Sequence, residues 1–168
     1  NSHIFNANYG YGKLSDGDFS DANGRFSTKA GDTTSSLDGT MTLDTSYVLS
    51  DVRVYLYKDW QVSSYQDTSF VGADFKVEVL SNEEWVTVIN ITAAEFANYL
   101  VSTGDGNGNN WLQFNLNGIV GDKVRVSATK AQTGKSISVL EIEVYAYDVV
   151  LVEEEIKLVN VSAGKQFV

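Results

Sequence analysis

The sequence predicts an all-β chain that folds as an antiparallel β-sandwich of the jelly-roll type with one short helix. Three observations support this prediction. Many short segments alternate apolar and polar residues, clusters of Gly, Asn, Asp and Ser separate them, and only one segment has a good helical pattern. Strands that follow one another without intervening helices are typical of sandwiches and jelly rolls rather than of parallel α/β sheets.

Six segments alternate with period two and are the predicted strands. Each places its apolar residues on one face and its polar residues on the other, which is typical of antiparallel strands with one buried side. Trp85 begins one of these segments, and we assign its side chain to the core or the edge of the core. The segments are residues 52–57, 75–79, 85–89, 112–116, 123–127 and 141–145.

The one helical segment covers residues 92–100. Thr92 is a good N-cap residue, and Glu95 follows three positions later, which is the spacing of a capping box. We therefore predict a short helix here that links two strands.

Three polar loops separate the strands and are the places where a ligand site is expected. The first covers about residues 16–38, the second covers residues 58–69, and the third is a Gly- and Asn-rich turn over residues 102–110. The second loop contains two aromatic residues, and the third ends directly before Trp111.

The composition excludes several functions. The 168-residue chain has a net charge of −10 and a sequence pI near 4.4, which disfavours binding to nucleic-acid phosphates or to an anionic membrane surface. It contains no cysteine, so a disulfide framework and a thiolate metal site are excluded. No apolar run approaches the roughly 20 residues of a membrane helix, so membrane insertion is not expected.

The length predicts one domain, which we place at residues 1–148. The tail, residues 149–168, contains three consecutive glutamates followed by a strand-like segment. It is interpreted as a linker with an extra edge strand or as the start of a following module. The N-terminus has no signal segment, so we expect an excised or matured piece of a longer polypeptide that contains other modules.

Four segments occur in the order of a known family. They are residues 14–18 (LSDGD), 75–81 (FKVEVLS) before Trp85, 123–129 (KVRVSAT) and 139–145 (VLEIEVY). Over about residues 6–148 this order resembles the discoidin-like modules, also called coagulation factor five/eight type C domains. These modules have the galactose-binding-like fold and include many family 32 carbohydrate-binding modules. The loop at residues 58–69 is longer than is usual in the family, and the disulfide of the animal members is absent, which favours a bacterial, extracellular or cell-surface glycan binder.

A calcium site is the first candidate site. Asp16, Asp18 and Asp21 lie in one short loop, where aspartate is also an ordinary turn former. Calcium takes several carboxylate and carbonyl oxygens as ligands. The resemblance implies one structural Ca²⁺ held by Asp16 and Glu141, with backbone positions matched by Lys13 and Asp18 and with Asp21 as a further candidate.

A saccharide site is the second candidate. Sugars present apolar C–H faces and many hydroxyls, so their sites combine an exposed aromatic ring with hydrogen-bonding side chains. Trp60 and Tyr65 lie in a polar loop that also contains Lys58, and Trp111 follows Asn109 closely at the junction of a loop and a strand. The alternative for Trp111 is that it caps the core.

Catalysis has little support. The only histidine, His3, lies near the N-terminus, so a nucleophile–histidine pair has no suitable base. Glu141 and Glu143 fall on one face of a strand, where the resemblance already assigns Glu141 to calcium. The sequence therefore predicts a non-catalytic module that binds an oligo- or polysaccharide. The alternatives are an adhesion module that recognises a protein or cell surface, and a spacer domain.

Overall fold

The computed structural model describes residues 10–19, 25–28, 36–57, 74–102, 110–129, 137–148 and 157–166. Within these ranges, two 3-10 helices, Tyr11–Leu14 and Ala93–Asn98, accompany nine strands. The strands are β1 (Phe26–Ser27), β2 (Ser36–Leu56), β3 (Asp74–Ser81), β4 (Glu84–Ile91), β5 (Leu100–Ser102), β6 (Asn110–Asn115), β7 (Val120–Thr129), β8 (Ser138–Asp148) and β9 (Lys157–Asn160).

The strands form two antiparallel layers that share the long strand β2. In the first layer, the β8 sheet, the second half of β2 lies between β8 and β6, with β5 outside β6 and with β1 and β9 on the far side of β8. In the second layer, the β7 sheet, the order is the first half of β2, then β7, β3 and β4. The register of β2 shifts between Thr42 and Tyr47 and again between Leu49 and Asp51, where the strand passes from one sheet to the other.

The core lies between the two layers. Phe75 of β3 stacks on Phe114 of β6 with ring centroids 4.9 Å apart, so that the inner faces of the two sheets contact each other directly. Phe96, from the second 3-10 helix, packs edge-on against Phe75 and closes one end of this aromatic group. The predicted fold class, an antiparallel β-sandwich with little helix, is confirmed.

The predicted helix is present in a tighter form. The N–H of Thr92 donates to the Glu95 carboxylate at 2.8 Å, which is one half of the predicted capping box. The helix covers Ala93–Asn98 with 3-10 geometry, and the N–H of Tyr99 donates to the carbonyl of Phe96 at its end. Leu100, the last residue of the predicted helix, instead begins β5.

The structure differs from the sequence interpretation at two further places. Strand β2 begins at Ser36, within the segment predicted as a loop to residue 38. The assignment of Trp85 to the core or to the edge of the core is wrong, because its side chain is 37% exposed and lies on the outward face of the sheet. Trp85 lies opposite Leu80 on the outward face of the edge strand β4. Its hydrophobic side chain favoured a place in the core, but this face of the strand points away from the core.

The tail returns to the sandwich. Residues 157–160 form β9, which pairs with residues 145–148 of β8, and Ser162 Oγ accepts the N–H of Val144 at 2.8 Å. The domain boundary at residue 148 stays a prediction. In the part of the chain that the structure describes, no helix is long and apolar enough to cross a membrane.

Candidate functional site

An acidic loop, residues 15–19, follows the first 3-10 helix. Leu14 is fully buried and anchors the start of the loop in the core. Gly17 has a φ of +73°, a left-handed conformation that favours glycine. The Asp16 carboxylate accepts the N–H of Asp18 at 3.0 Å and the Lys13 ammonium at 2.9 Å. These contacts fix a turn in the loop and leave the Asp16 carboxylate at the surface.

Glu141 of β8 lies beside this loop. Its side chain is buried, and its carboxylate accepts the N–H of Gly17 at 3.1 Å. Burial raises the pKa of Glu141 to about 7, although the N–H of Gly17 opposes the shift, and the charges of Asp16 and Glu143 raise the pKa further. A buried carboxylate that faces a second carboxylate is stabilised by a proton or by a bound cation.

The predicted calcium ligands Lys13, Asp16, Asp18 and Glu141 therefore come together, and Asp21 lies outside the described residues. Within the described ranges, no three acidic, histidine or cysteine side chains are close enough to hold a metal by themselves. Side chains supply two carboxylates here, and further oxygens must come from carbonyls or water, which is acceptable to calcium. The residues fit such a cation, and the Lys13 ammonium competes with it for Asp16.

An aromatic row starts at the acidic loop and crosses the outer face of the β8 sheet. Tyr55 lies opposite Glu141 of β8 on one side and opposite Trp111 of β6 on the other. Phe19 packs edge-on against the Tyr55 ring with centroids 4.9 Å apart, and the rings of Tyr55 and Trp111 lie 5.6 Å apart. The row therefore joins the acidic loop to the predicted ligand residue Trp111.

Trp111 carries an unusual polar group. Its side chain is partly buried, its indole N–H is buried, and this N–H donates to no acceptor among the described residues. Buried indole N–H groups normally have a hydrogen-bond partner, since burying one without a partner costs free energy. This buried N–H therefore lacks an acceptor, and an oxygen atom of a ligand can reach it only if the atoms that cover it move.

A polar network continues from the row along the same face. The Tyr145 hydroxyl and the Asn160 amide donate to the two oxygens of Glu143 at 2.7 and 2.8 Å. Arg53 donates from Nε to Asp51 at 3.0 Å, and its guanidinium lies 4.0 Å from the centre of the Tyr145 ring. These contacts fix several hydrogen-bonding groups in place next to the aromatic row.

The residues predicted from the sequence make up only part of this surface. The predicted ligand residues Lys58, Trp60, Tyr65 and Asn109 lie outside the described residues. Arg53, Tyr55 and Glu143 were not among the predicted ligand residues, although the sequence pattern indicates that their side chains are outside the core. In residues 52–57 and 141–145 the buried apolar positions alternate with these side chains, so they must point away from the core.

Solved structures with the same fold include carbohydrate-binding modules and a factor five/eight type C domain. Chitosan-binding module 2 of a chitosanase/glucanase from Paenibacillus sp. IK-5, solved with chitotriose, is 22% identical, with 86% of this chain and 92% of that chain covered and a TM-score of 0.56. A family 32 carbohydrate-binding module from C. perfringens, solved with galactose, is 14% identical over 85% and 88% of the two chains, with a TM-score of 0.57. A factor five/eight type C domain from Bacteroides fragilis is 17% identical over 83% and 82%, with a TM-score of 0.55.

At these identities the similarity establishes the fold. The chain has the galactose-binding-like β-sandwich of the family 32 and factor five/eight type C modules, as the sequence resemblance predicted. No family model matches the sequence, and no curated protein matches it.

Proposed function

We propose that this chain is a non-catalytic carbohydrate-binding module of a secreted or cell-surface glycan-active protein. The observation that carries the proposal is Trp111, whose buried indole N–H has no acceptor among the described residues and whose ring lies beside Tyr55. An aromatic surface with an indole N–H that lacks an acceptor is suited to a sugar ring, which stacks through its C–H face and accepts hydrogen bonds through its hydroxyls.

The surroundings of Trp111 support the same ligand class. Arg53 and Glu143, which are held by the network described above, present a donor and an acceptor beside Tyr55. Modules of the same fold were solved with galactose and with chitotriose. Lys58, Trp60, Tyr65 and Asn109 are proposed to complete the site from the neighbouring loops.

The net charge of the chain limits the class of glycan that is expected to bind. At −10 the protein repels polyanionic glycans at long range, so an uncharged or cationic oligo- or polysaccharide is the expected partner. A module of this kind raises the effective concentration of attached modules on their substrate.

We further propose one structural Ca²⁺ at the acidic loop. The carboxylates of Asp16 and Glu141 would hold it together with backbone oxygens of Lys13 and Asp18, and Asp21 is a further candidate ligand. Support comes from the buried Glu141 carboxylate, whose pKa is raised to about 7 and which faces Asp16. A bound divalent cation would neutralise this pair and tie the loop to β8.

The alternative of an adhesion module predicts a broad apolar patch. In the described part of the chain the exposed large apolar side chains are few, and Trp85 and Val86 lie on β4, Val120 at the start of β7 and Val159 on β9. They form no broad patch, so carbohydrate binding is the better supported function.

A glycan array with the 168-residue chain tests the proposal, followed by titration of the glycan that binds and by analysis of the glycan after incubation. We expect binding of a saccharide without cleavage, and we expect Trp111→Ala to weaken it while Val159→Ala does not. Absence of binding to every glycan, or equal affinity of the two variants, would contradict the proposed site.

A further inference from the structure

The outer face of the β7 sheet lies on the opposite side of the sandwich from the sheet that carries Trp111. The register places one set of side chains of the first half of β2, β7, β3 and β4 on this face. The buried set, which includes Val77, Val79, Val124 and Val126, points to the core. The outward set consists of Ser36, Asp38, Thr40, Thr42, Asp74, Lys76, Glu78, Leu80, Trp85, Thr87, Asn90, Lys123, Arg125, Ser127 and Thr129.

Trp85 gives this face an aromatic surface. Its side chain is 37% exposed, and the guanidinium of Arg125 lies 4.2 Å from the centre of its ring. A stacked guanidinium stabilises an indole ring by a cation–π contact and holds its orientation. The ring is thus fixed in place while part of its surface stays open to solvent.

Glu78 holds the surrounding side chains. Its carboxylate accepts Arg125 Nε at 2.8 Å, Lys76 Nζ at 3.1 Å and the Thr87 hydroxyl at 3.3 Å. Glu78 itself is only 7% exposed, so the network has a buried centre. Charge-assisted hydrogen bonds to one buried carboxylate reduce the freedom of the long side chains before any ligand arrives.

Two cavities lie at the two ends of the same strands. One, of about 300 Å³, is lined by Lys76, Asn90, Ser127 and Thr129 together with Asp74 and Phe75. The other, of about 270 Å³, is lined by Leu80, which lies opposite Trp85, together with Ser46, Asn82, Glu83, Val120, Gly121 and Asp122. Leu80 lies four positions after Lys76 on β3, which is about 13 Å along the strand. The aromatic surface and the first cavity are therefore spaced for an extended ligand.

The charge of this face identifies the ligand class. Its outward set contains three cationic side chains, Lys76, Lys123 and Arg125, and three carboxylates, Asp38, Asp74 and Glu78, so it is neutral although the chain carries −10. Its remaining side chains are mostly hydroxyls and an amide. Neutral surfaces that combine an indole ring with hydroxyl and amide groups match an uncharged polyhydroxylated chain.

We propose that the outer face of the β7 sheet is a second saccharide-binding surface, which takes an extended uncharged oligosaccharide. Trp85 stacks on one sugar ring, and Lys76, Asn90 and Ser127 hydrogen-bond a second ring at the cavity. The surface extends the proposed function but shares no residue with the Trp111 site. The competing role for Trp85 is to shield the edge strand β4 from pairing with another chain.

The three tryptophans of the chain make a direct test possible, since each gives one indole N–H signal in a ¹H–¹⁵N spectrum. Cellohexaose, xylohexaose and maltohexaose serve as uncharged probes and are titrated into the 168-residue protein, with signals assigned from the Trp85→Phe and Trp111→Phe variants. We expect at least one probe to shift the Trp85 signal in the wild type and also in the Trp111→Ala variant. Trp85→Ala should weaken this binding about ten- to hundredfold, whereas Val159→Ala, an exposed residue of the other sheet, should leave it unchanged.

The outcomes separate the two sites. A Trp85 signal that no probe shifts, in protein with an otherwise native spectrum, overturns the second surface and leaves Trp85 as a shield of β4. A shift that disappears in Trp111→Ala also overturns it, because one site then accounts for all binding. A Trp85 shift that persists while Trp111 never responds supports the second surface and contradicts the Trp111 site.

Discussion

Phe19, at the end of the acidic loop, packs edge-on against Tyr55 of β2 with ring centroids 4.9 Å apart. Tyr55 in turn lies opposite both Glu141 and Trp111. The loop that is proposed to hold calcium therefore contacts the aromatic row that is proposed to hold a sugar. An ordered loop keeps Phe19 against Tyr55, so calcium removal should loosen the row as well as lower the stability of the fold.

Two substitutions of Trp111 should distinguish the contribution of its ring to glycan binding from the contribution of its indole N–H. We expect Trp111→Ala to weaken glycan binding about ten- to hundredfold, because stacking on an aromatic ring contributes about 1–3 kcal/mol in a comparable case. Trp111→Phe keeps a ring but removes one hydrogen-bond donor, so we expect a smaller loss of about threefold to tenfold. Titration calorimetry with the glycan found on the array measures both.

The free energy of unfolding is the control measurement for the Trp111 variants. Trp111→Phe removes a buried N–H that has no acceptor among the described residues, so the free energy of unfolding should stay within about 1 kcal/mol of the wild type. If the wild type, Trp111→Phe and Trp111→Ala bind the glycan with equal affinity, the sugar site is instead expected in the loop that contains Trp60. Trp60→Ala should then lower affinity by a similar factor with little change in melting temperature.

Calcium removal should destabilise the protein. A ligand that binds only the folded state raises the free energy of unfolding by about 2.7 kcal/mol at one hundred times its dissociation constant. We expect chelator to lower the melting temperature of the wild type and to have no effect on Asp16→Asn or Glu141→Gln, measured by calorimetry. Glu84→Gln, which removes an exposed carboxylate on β4, should keep the full chelator response. An equal response in all four proteins would contradict the site.

Much of the fold was predictable because its strands are half buried. Alternation identified the segments that became β3, β7 and β8, since each has one face in the core and one outside. It also located β4, although Ile91 is the one buried residue of that strand. The same reasoning failed for the first half of β2. There Gly39 interrupts the apolar set and a register shift follows Thr42, so the pattern resembles that of a polar loop.

The candidate site was less predictable, because it depends on contacts between distant strands. The resemblance placed Asp16 and Glu141 together, and they do meet through the N–H of Gly17. Nothing in the local sequence indicated that Tyr55 lies between Glu141 and Trp111, since this follows only from how β2 pairs with β8 and β6. Trp85 was misassigned for a similar reason, because an edge strand leaves its outward aromatic residue exposed.

Gly121 is a position where the packing of the β7 sheet requires glycine. A Cβ at this residue would lie 2.4 Å from a methyl group of Val79 and 2.6 Å from the carbonyl oxygen of Leu80, so β7 would have to move away from β3. We expect Gly121→Ala to lower the free energy of unfolding by about 1–3 kcal/mol in urea denaturation. Gly12→Ala is the control, because no atom lies within 4 Å of its added methyl group and it should change stability by about 0.5 kcal/mol or less. Equal stabilities of the two variants would show that β3 and β7 are less closely packed at this point.

The last prediction concerns the pH dependence of the calcium-depleted protein. Burial raises the pKa of Glu141 from an ordinary value of 4.5 to about 7. Below pH 4.5 the residue is protonated in both the folded and the unfolded chain, so it has no effect on stability there. Between pH 4.5 and 7 the unfolded chain releases this proton while the folded chain retains it, and the free energy of unfolding should therefore fall as the pH rises.

The expected fall is about 3 kcal/mol over this interval, from about 1.4 kcal/mol per pKa unit, and urea denaturation at several pH values measures it. Glu141→Gln has no titratable group at this position and should lose this component of the pH dependence, whereas Glu84→Gln should retain it. Saturating calcium should also suppress the fall, because the cation stabilises the ionised carboxylate. If Glu141→Gln and Glu84→Gln show the same slope between pH 4.5 and 7, another group controls the pH dependence, and the buried Glu141 does not have the raised pKa on which this argument depends.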